Sequence, residues 1–296
     1  MTINSQPIPM RLIYLFVFTL LLISQSFAQD NVSTVDNPWK KSVQFGVNFN
    51  QATFSKAWKG GGSNSISIGL LCNAKANYAK GKNSWTNALQ MQYGFVNGQG
   101  VSGLRKSTDR LFFDSKYSHQ LSKIWNAFGS VTFLSQFGQG LDYQKPNNPT
   151  ISGFMAPGYL FESVGVEYKP VPYFNLQIGA LTMRQTFVNS AVDTKEIPNN
   201  YGVAKGQTLL NEIGVQLVAS FDKDIVENVN LKFRYGTMFA YLPKVKSLDH
   251  RLDLTATARV NKFLNVNFAL IGIYDDDIVS DLQLSQGLAL GLLASF

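Results

Sequence analysis

From Lys41 onward the chain is dominated by a period of two, and few folds tolerate that period over so many segments. Successive side chains of a strand point to opposite faces, so apolar/polar alternation marks a sheet that separates two environments. The first run sets Val43, Phe45, Val47 and Phe49 against Ser42, Gln44, Gly46, Asn48 and Asn50. The pattern recurs from Ile66 to Tyr78, Trp85 to Phe95, Leu111 to Leu121, and Trp125 to Phe137. It weakens from Leu160 to Tyr168, where Glu162 breaks the apolar face, and returns from Phe174 to Ala180. Five more runs follow: Leu209 to Phe221, Val229 to Tyr241, Leu252 to Val260, Val266 to Tyr274, and Leu288 to Phe296. That makes about 12 segments, most near the roughly 10 residues a tilted strand needs to cross a bilayer.

The connections alternate in length. Short turns are expected at Lys80 to Asn83, Ser122-Lys123, Lys169 to Pro172, Asp222 to Asn228, and Asn261-Lys262. Longer ones are expected at Ser55 to Asn64, Asn97 to Ser107, Gly138 to Pro157, Asn189 to Gln207, Pro243 to Asp249, and Asp275 to Gln283. Short turns in the periplasm and long loops outside are the outer-membrane layout. The expected fold is therefore all-β: a transmembrane antiparallel up-and-down β-barrel of about 12 strands over residues 41–296. A water-soluble sandwich or lipocalin-like barrel is the competing reading. Against it stand polar faces rich in Asn, Gln, Ser, Gly and Thr rather than dense in Lys and Glu, and the number of long strands.

The N-terminus fits export. Arg11 precedes an uncharged apolar run from Leu12 to Ile23, and Ser26-Phe27-Ala28 supplies small residues before Gln29. This is the plan of a signal peptide, residues 1–28, cleaved after Ala28, with Met10 as an alternative start. Residues 29–40 would form a short periplasmic segment. Cys72 is the only cysteine, so no intramolecular disulfide braces the chain. The formal net charge of +7 is spread rather than clustered, which argues against nucleic acid and suits outer-membrane lipid and lipopolysaccharide phosphate. A Phe at the end of an alternating final strand, Phe296, reads as a signal to the outer-membrane assembly machinery.

Aromatic residues flank the short turns. Tyr78, Trp85, Tyr117, Trp125, Tyr168, Phe174 and Phe221 are the expected periplasmic girdle, since amphipathic rings favour the headgroup level. The polar parity places Arg110, Asp114, Lys116, Glu212, Lys232, Arg234, Arg251, Asp253 and Arg259 toward the lumen. Glu212 with Lys232 or Arg234, and Asp114 with Lys116, are the expected pairs. The surplus of Arg and Lys in this set would favour anions if a pore exists, and a long loop such as Gly138 to Pro157 could fold inward as a plug.

Local runs add a resemblance. Ala57-Trp58-Lys59-Gly60-Gly61-Gly62, Ser84-Trp85-Thr86-Asn87 continuing through Gln92-Tyr93-Gly94, and Lys106-Ser107-Thr108-Asp109 together resemble a Bacteroidota family of outer-membrane proteins, domain of unknown function 3078. The resemblance implies an envelope location over nearly the whole mature chain and supplies no catalytic residues.

Enzymatic chemistry has little to stand on, and none is expected. A serine hydrolase needs a Ser, a His base and an orienting partner. The two histidines, His119 and His250, sit near a turn and at a loop junction, and no Gly-x-Ser-x-Gly elbow occurs. The acidic run Asp275, Asp276, Asp277 and Asp281 lacks the Gly-punctuated spacing of a calcium loop, so it reads as solvated, and neither a metal nor a cofactor is expected. Lys59 to Gly62 lacks the ending of a phosphate-binding loop. The functional expectation is a small-solute channel or structural envelope protein, with an accessory subunit of a larger envelope complex as the alternative. An outer-membrane lipase or protease ranks lower.

Overall fold

A computed structural model describes residues 37–53, 64–98, 103–189, 198–204, 206–245, 248–261, 263–275 and 279–295. The expected signal peptide, the Ala57 to Gly62 run with Trp58, the acidic pair Asp276 and Asp277, and Phe296 lie outside these residues.

Among the described residues fourteen strands follow in chain order: β1 (Trp39–Ala52), β2 (Ser65–Lys80), β3 (Asn83–Gly98), β4 (Arg105–Gln120), β5 (Trp125–Ser135), β6 (Gly140–Leu141), β7 (Thr150–Ser152), β8 (Gly158–Val171), β9 (Phe174–Phe187), β10 (Leu209–Val226), β11 (Val229–Leu242), β12 (Leu248–Arg259), β13 (Leu264–Asp275) and β14 (Val279–Ser295). Twelve of them form one closed antiparallel barrel in which each strand pairs with its chain neighbour, and β14 returns to β1. The seam runs from Gln44↔Ser295 to Asn48↔Gly291. The remaining two strands, β6 and β7, make a small hairpin inside the β5–β8 connection.

The strand count matches the alternation, with three local differences. β1 starts at Trp39, so the expected N-terminal segment of 29–40 gives its last two residues to the barrel. The β13–β14 connection is short, because Asp275 pairs with Val279 where a loop to Gln283 was expected. β9 carries a bulge: Leu181 opposes Val164 while Gly179 opposes Gly165, leaving Ala180 as the extra residue. A one-residue insertion reverses which face each later side chain meets.

The outer wall is apolar and exposed. Phe45, Val47 and Phe49 keep 41–54% of their surface uncovered, and Leu70, Val164 and Leu181 are similarly bare. The fully buried large side chains include Glu212, Thr182 and Thr186. This inverts a water-soluble sheet protein, where apolar groups go inside. Glu162 is an exception on the wall, since it shares a face with Val131 and Met183. No helix among the described residues is long and apolar enough to cross a membrane, which says nothing about strands.

Aromatics ring the turn end. Trp39 packs on Tyr78 and Trp85, Trp125 on Tyr168, and Phe221 on Tyr173 and Phe233. Phe174 pairs in register with Phe221, and Tyr117 with Trp85. Their polar tips are satisfied: Trp85 Nε1 donates to Ser115 Oγ and the Tyr117 hydroxyl to Asn83 Oδ1, both at 2.9 Å. Tyr93, Phe95 and Phe137 cluster toward the loop end. Ten residues separate Trp85 from Phe95, and eight separate Phe233 from Tyr241. At about 3.4 Å per residue and a tilt of about 40°, those spacings are roughly 21–26 Å, close to the apolar band of an outer-membrane barrel.

Glycine is needed opposite the β9 bulge, at Gly165, and at a second irregularity between β10 and β11, at Gly214. A Cβ on Gly165 would sit 1.9 Å from the Ile178 carbonyl oxygen, and one on Gly214 would sit 2.2 Å from that of Phe239. Gly129 has room, with its nearest neighbour at 3.9 Å. Gly165→Ala and Gly214→Ala should each destabilise the refolded barrel in urea titration, by about 1–3 kcal/mol. Gly129→Ala should stay within about 0.5 kcal/mol.

Candidate lumen site

A side chain that touches a non-neighbouring strand of a closed barrel must do so through the interior. Among the described residues five ion pairs meet that test, four of them at 3.5 Å or less. Arg110 of β4 donates to Asp253 of β12 at 2.7 Å, and β4 and β12 are six strands apart in a ring of twelve, on opposite walls. Arg234 of β11 reaches Asp114 of β4 at 3.5 Å. Lys116 of β4 pairs with Glu167 of β8, skipping β5. Arg184 of β9 pairs with Glu212 of β10 at 2.7 Å and extends to Asp249 of β12 at 2.6 Å.

These contacts order the lumen along its axis. At the loop end, Arg184 meets Glu212, Asp249 and, at 3.9 Å, Asp275. Below it, Asp253 accepts from Arg110 and from both Nε and one Nη of Arg251. Next comes Phe112, buried on the inner wall, with the guanidiniums of Arg110 and Arg234 5.1 and 5.8 Å from its ring centre. Asp114 also accepts from Thr132 at 2.6 Å. Lowest are Lys116 with Glu167, which Asn126 also holds, and a cavity of about 70 Å³ lined by Lys75 and Lys232. A larger cavity of about 150 Å³ lies above Phe112, bordered by Arg110, Arg234, Arg251, Tyr159 and Phe161.

Several expectations change. Glu212 pairs with Arg184 rather than Lys232 or Arg234, and Asp114 pairs with Arg234 rather than Lys116. Arg259 meets Asp224 at 2.9 Å with about half of each side chain exposed, so it sits at the turn-end rim rather than inside. Glu167, Asp249 and Asp275 add three lumen carboxylates, which removes most of the expected cation surplus. Asp275, expected in a solvated acidic loop, belongs to the Arg184 cluster instead, and Asp281 is exposed on β14. No group of three or more His, Cys, Asp or Glu side chains arranged to hold a metal occurs among the described residues.

The loop end is partly covered from within. Ala156 and Val203 pack with Val188, which follows β9 on its inward face, and with inward Leu210 and Tyr201. The Tyr201 hydroxyl donates to the Ile151 carbonyl at 2.6 Å, and burial pushes this phenol up to about 12, so it remains a donor. The base of the β5–β8 connection is pinned by Lys106 Nζ, which donates to Asp109, Gln136 and the Gly138 carbonyl at 2.9 Å each. The connection thus folds over the β9–β10 wall, as an inward loop would. Both histidines face outward: His119 Nδ1 meets Asn83 Oδ1 at 2.8 Å and His250 Nδ1 meets the Tyr235 hydroxyl at 2.7 Å.

An apolar outer wall around a closed antiparallel barrel with a charged, polar interior defines a transmembrane β-barrel of the outer-membrane class. The model of a family described as a protein of unknown function (DUF3078) matches residues 49–141, which is 93 of the 296 residues and less than the expected span. No curated protein sequence matches the chain. Among solved structures the chain is similar to the translocator domain of the autotransporter NalP from Neisseria meningitidis, at 9% identity and a TM-score of 0.35 over 96% of this chain and 95% of that one. It is similar to the COG4313 outer membrane channel from Pseudomonas putida F1, at 10% identity and a TM-score of 0.39 over 90% and 100%. It is also similar to the beta domain of the Bordetella autotransporter BrkA, at 11% identity and a TM-score of 0.33 over 88% and 100%.

Lys116 and Glu167 are 12% and 4% exposed, so breaking one partner strands a buried charge. Lys116→Met should destabilise the refolded barrel by about 3–5 kcal/mol in urea titration. Lys116→Met combined with Glu167→Gln should recover most of that loss, giving a large coupling in the double-mutant cycle.

Proposed function

We propose that the protein resides in the outer membrane, with its long loops outside, and acts as a narrow channel for small polar solutes. The observation that carries this reading is the Arg110–Asp253 pair, which joins opposite walls of the barrel at 2.7 Å. A lumen bridged across its width cannot pass large solutes. Yet the path is not dry: Arg234 and Arg251 keep 28% and 31% of their side chains exposed while lying on the inner wall. Water held beside fixed charges is the setting in which a constriction selects small polar solutes.

Export by a signal peptide cleaved after Ala28, and assembly through the terminal Phe296, belong to the same reading. Lipid and lipopolysaccharide would contact the outer wall. A purely structural envelope role, or service as a subunit of a larger complex, would leave the lumen silent.

Planar-bilayer recording of the refolded full chain tests the channel. Small, discrete conductance steps are expected. Replacing the pair by Arg110→Ala and Asp253→Ala should raise the step size several-fold, because the strut across the lumen is gone. Absence of steps in both proteins would leave the structural or partner-binding role in its place.

A further inference from the structure

The cavity above Phe112 is lined by four arginines and three aspartates: Arg184, Asp249 and Asp275 stand at its loop end, and Arg110, Arg234, Arg251 and Asp253 form its lower wall. Arg110, Arg234 and Arg251 line it, and two carboxylates, Asp253 and Asp114, serve all three. Each guanidinium carries five N–H donors. Asp253 takes one from Arg110 and two from Arg251, with contacts of 2.7 to 2.9 Å. Asp114 lies 3.5 Å from Arg234 and has a shorter contact to Thr132. Donors therefore remain on this wall. One of them is specific: Arg110 Nε is buried without a hydrogen-bond partner among the described residues. A buried N–H of a charged group left unpaired is costly, so a position of this kind favours an acceptor that arrives from elsewhere.

The rest of the cavity is aromatic. Phe112 forms one side between two guanidiniums, and Phe161 borders another. About 150 Å³ is the volume of a cavity that holds one benzene-sized molecule. Planar guanidiniums grip carboxylates in two-pronged fashion and also stack on flat rings.

We infer that this cavity is a binding site for a small organic carboxylate with a flat apolar body, about the size of benzoate. Its carboxylate is held by Arg110, Arg234 and Arg251, and its body lies against Phe112 and Phe161. The inference names the solute class of the proposed channel and rests on that reading only for how the solute reaches the site.

The test is titration calorimetry of the refolded full chain in detergent, using benzoate and benzylamine, which share a ring and differ in charge. Saturable one-to-one binding of benzoate is expected, with benzylamine at least ten-fold weaker. Equal or tighter benzylamine binding, or no saturable benzoate binding, overturns the site. Arg251→Gln, checked for heat-modifiable gel migration so that only folded protein is compared, should weaken benzoate at least ten-fold, and unchanged affinity also overturns it. Conductance of the same preparation separates the two readings. Benzoate binding without conductance steps removes the channel and keeps the site, whereas steps without binding remove the site alone.

Discussion

Everything in this barrel depends on the seam between β1 and β14. A strand edge in hydrocarbon leaves amide and carbonyl groups with no partner, at a cost of several kcal/mol each, and lipid offers no water to satisfy them. Closing the sheet removes the edge. Gln44 to Asn48 of β1 pair with Gly291 to Ser295 of β14, and that join turns twelve strands into a cylinder. Once the ring is shut, one face of every strand must look out and the other in. The alternation has to hold right round the circle, and the exposed row of Phe45, Val47 and Phe49 beside the seam is its first turn.

Closure also creates an interior that is too wide for an apolar core and too narrow to stay empty. The chain fills it with paired charge. Buried ion pairs contribute little net stability, because desolvation offsets most of the attraction. Their use here is geometric. Arg110 and Asp253 hold opposite walls at a fixed separation, Arg234 and Asp114 do so one level below, and Lys116 with Glu167 ties β4 to β8 across β5 near the turn end. Phe112 lies between the first two levels, where two guanidiniums face its ring. Each level ties the barrel to one cross-section.

The outer wall was legible in the sequence and the pairing inside was not, for a physical reason. Alternation is a local property, so Val43 to Phe49 or Leu252 to Val260 can be read from neighbours alone. A contact across the lumen depends on ring closure and strand tilt. Arg110 and Asp253 are 143 positions apart, and no spacing rule joins them. Arg184 was hidden by the bulge at Ala180. Carried straight on from Phe174, Leu176, Ile178 and Ala180, the outward parity would place Arg184 on the lipid side. The extra residue turns it inward with Thr182 and Thr186, both nearly fully buried. Glycine beside the bulge, Gly179 in β9 with Gly165 and Gly214 in its neighbours, is the one sequence hint of that reversal. Trp39 joins the girdle from outside the alternating run, because β1 begins two residues before Lys41.

The bulge then has a consequence beyond register. By turning Arg184 inward, it gives Glu212, Asp249 and Asp275 a common cation at the loop end. Without it, three carboxylates would lose the arginine they share where the lumen opens, and an arginine would face the outer membrane interface, at a cost of up to about 1 kcal/mol. A single inserted residue therefore corrects two electrostatic faults at once. It also leaves the arginines below free to form their own layer around Asp253 and Phe112. The charge layout of the lumen is set by where the β9 strand changes face, as much as by which charged residues the chain contains.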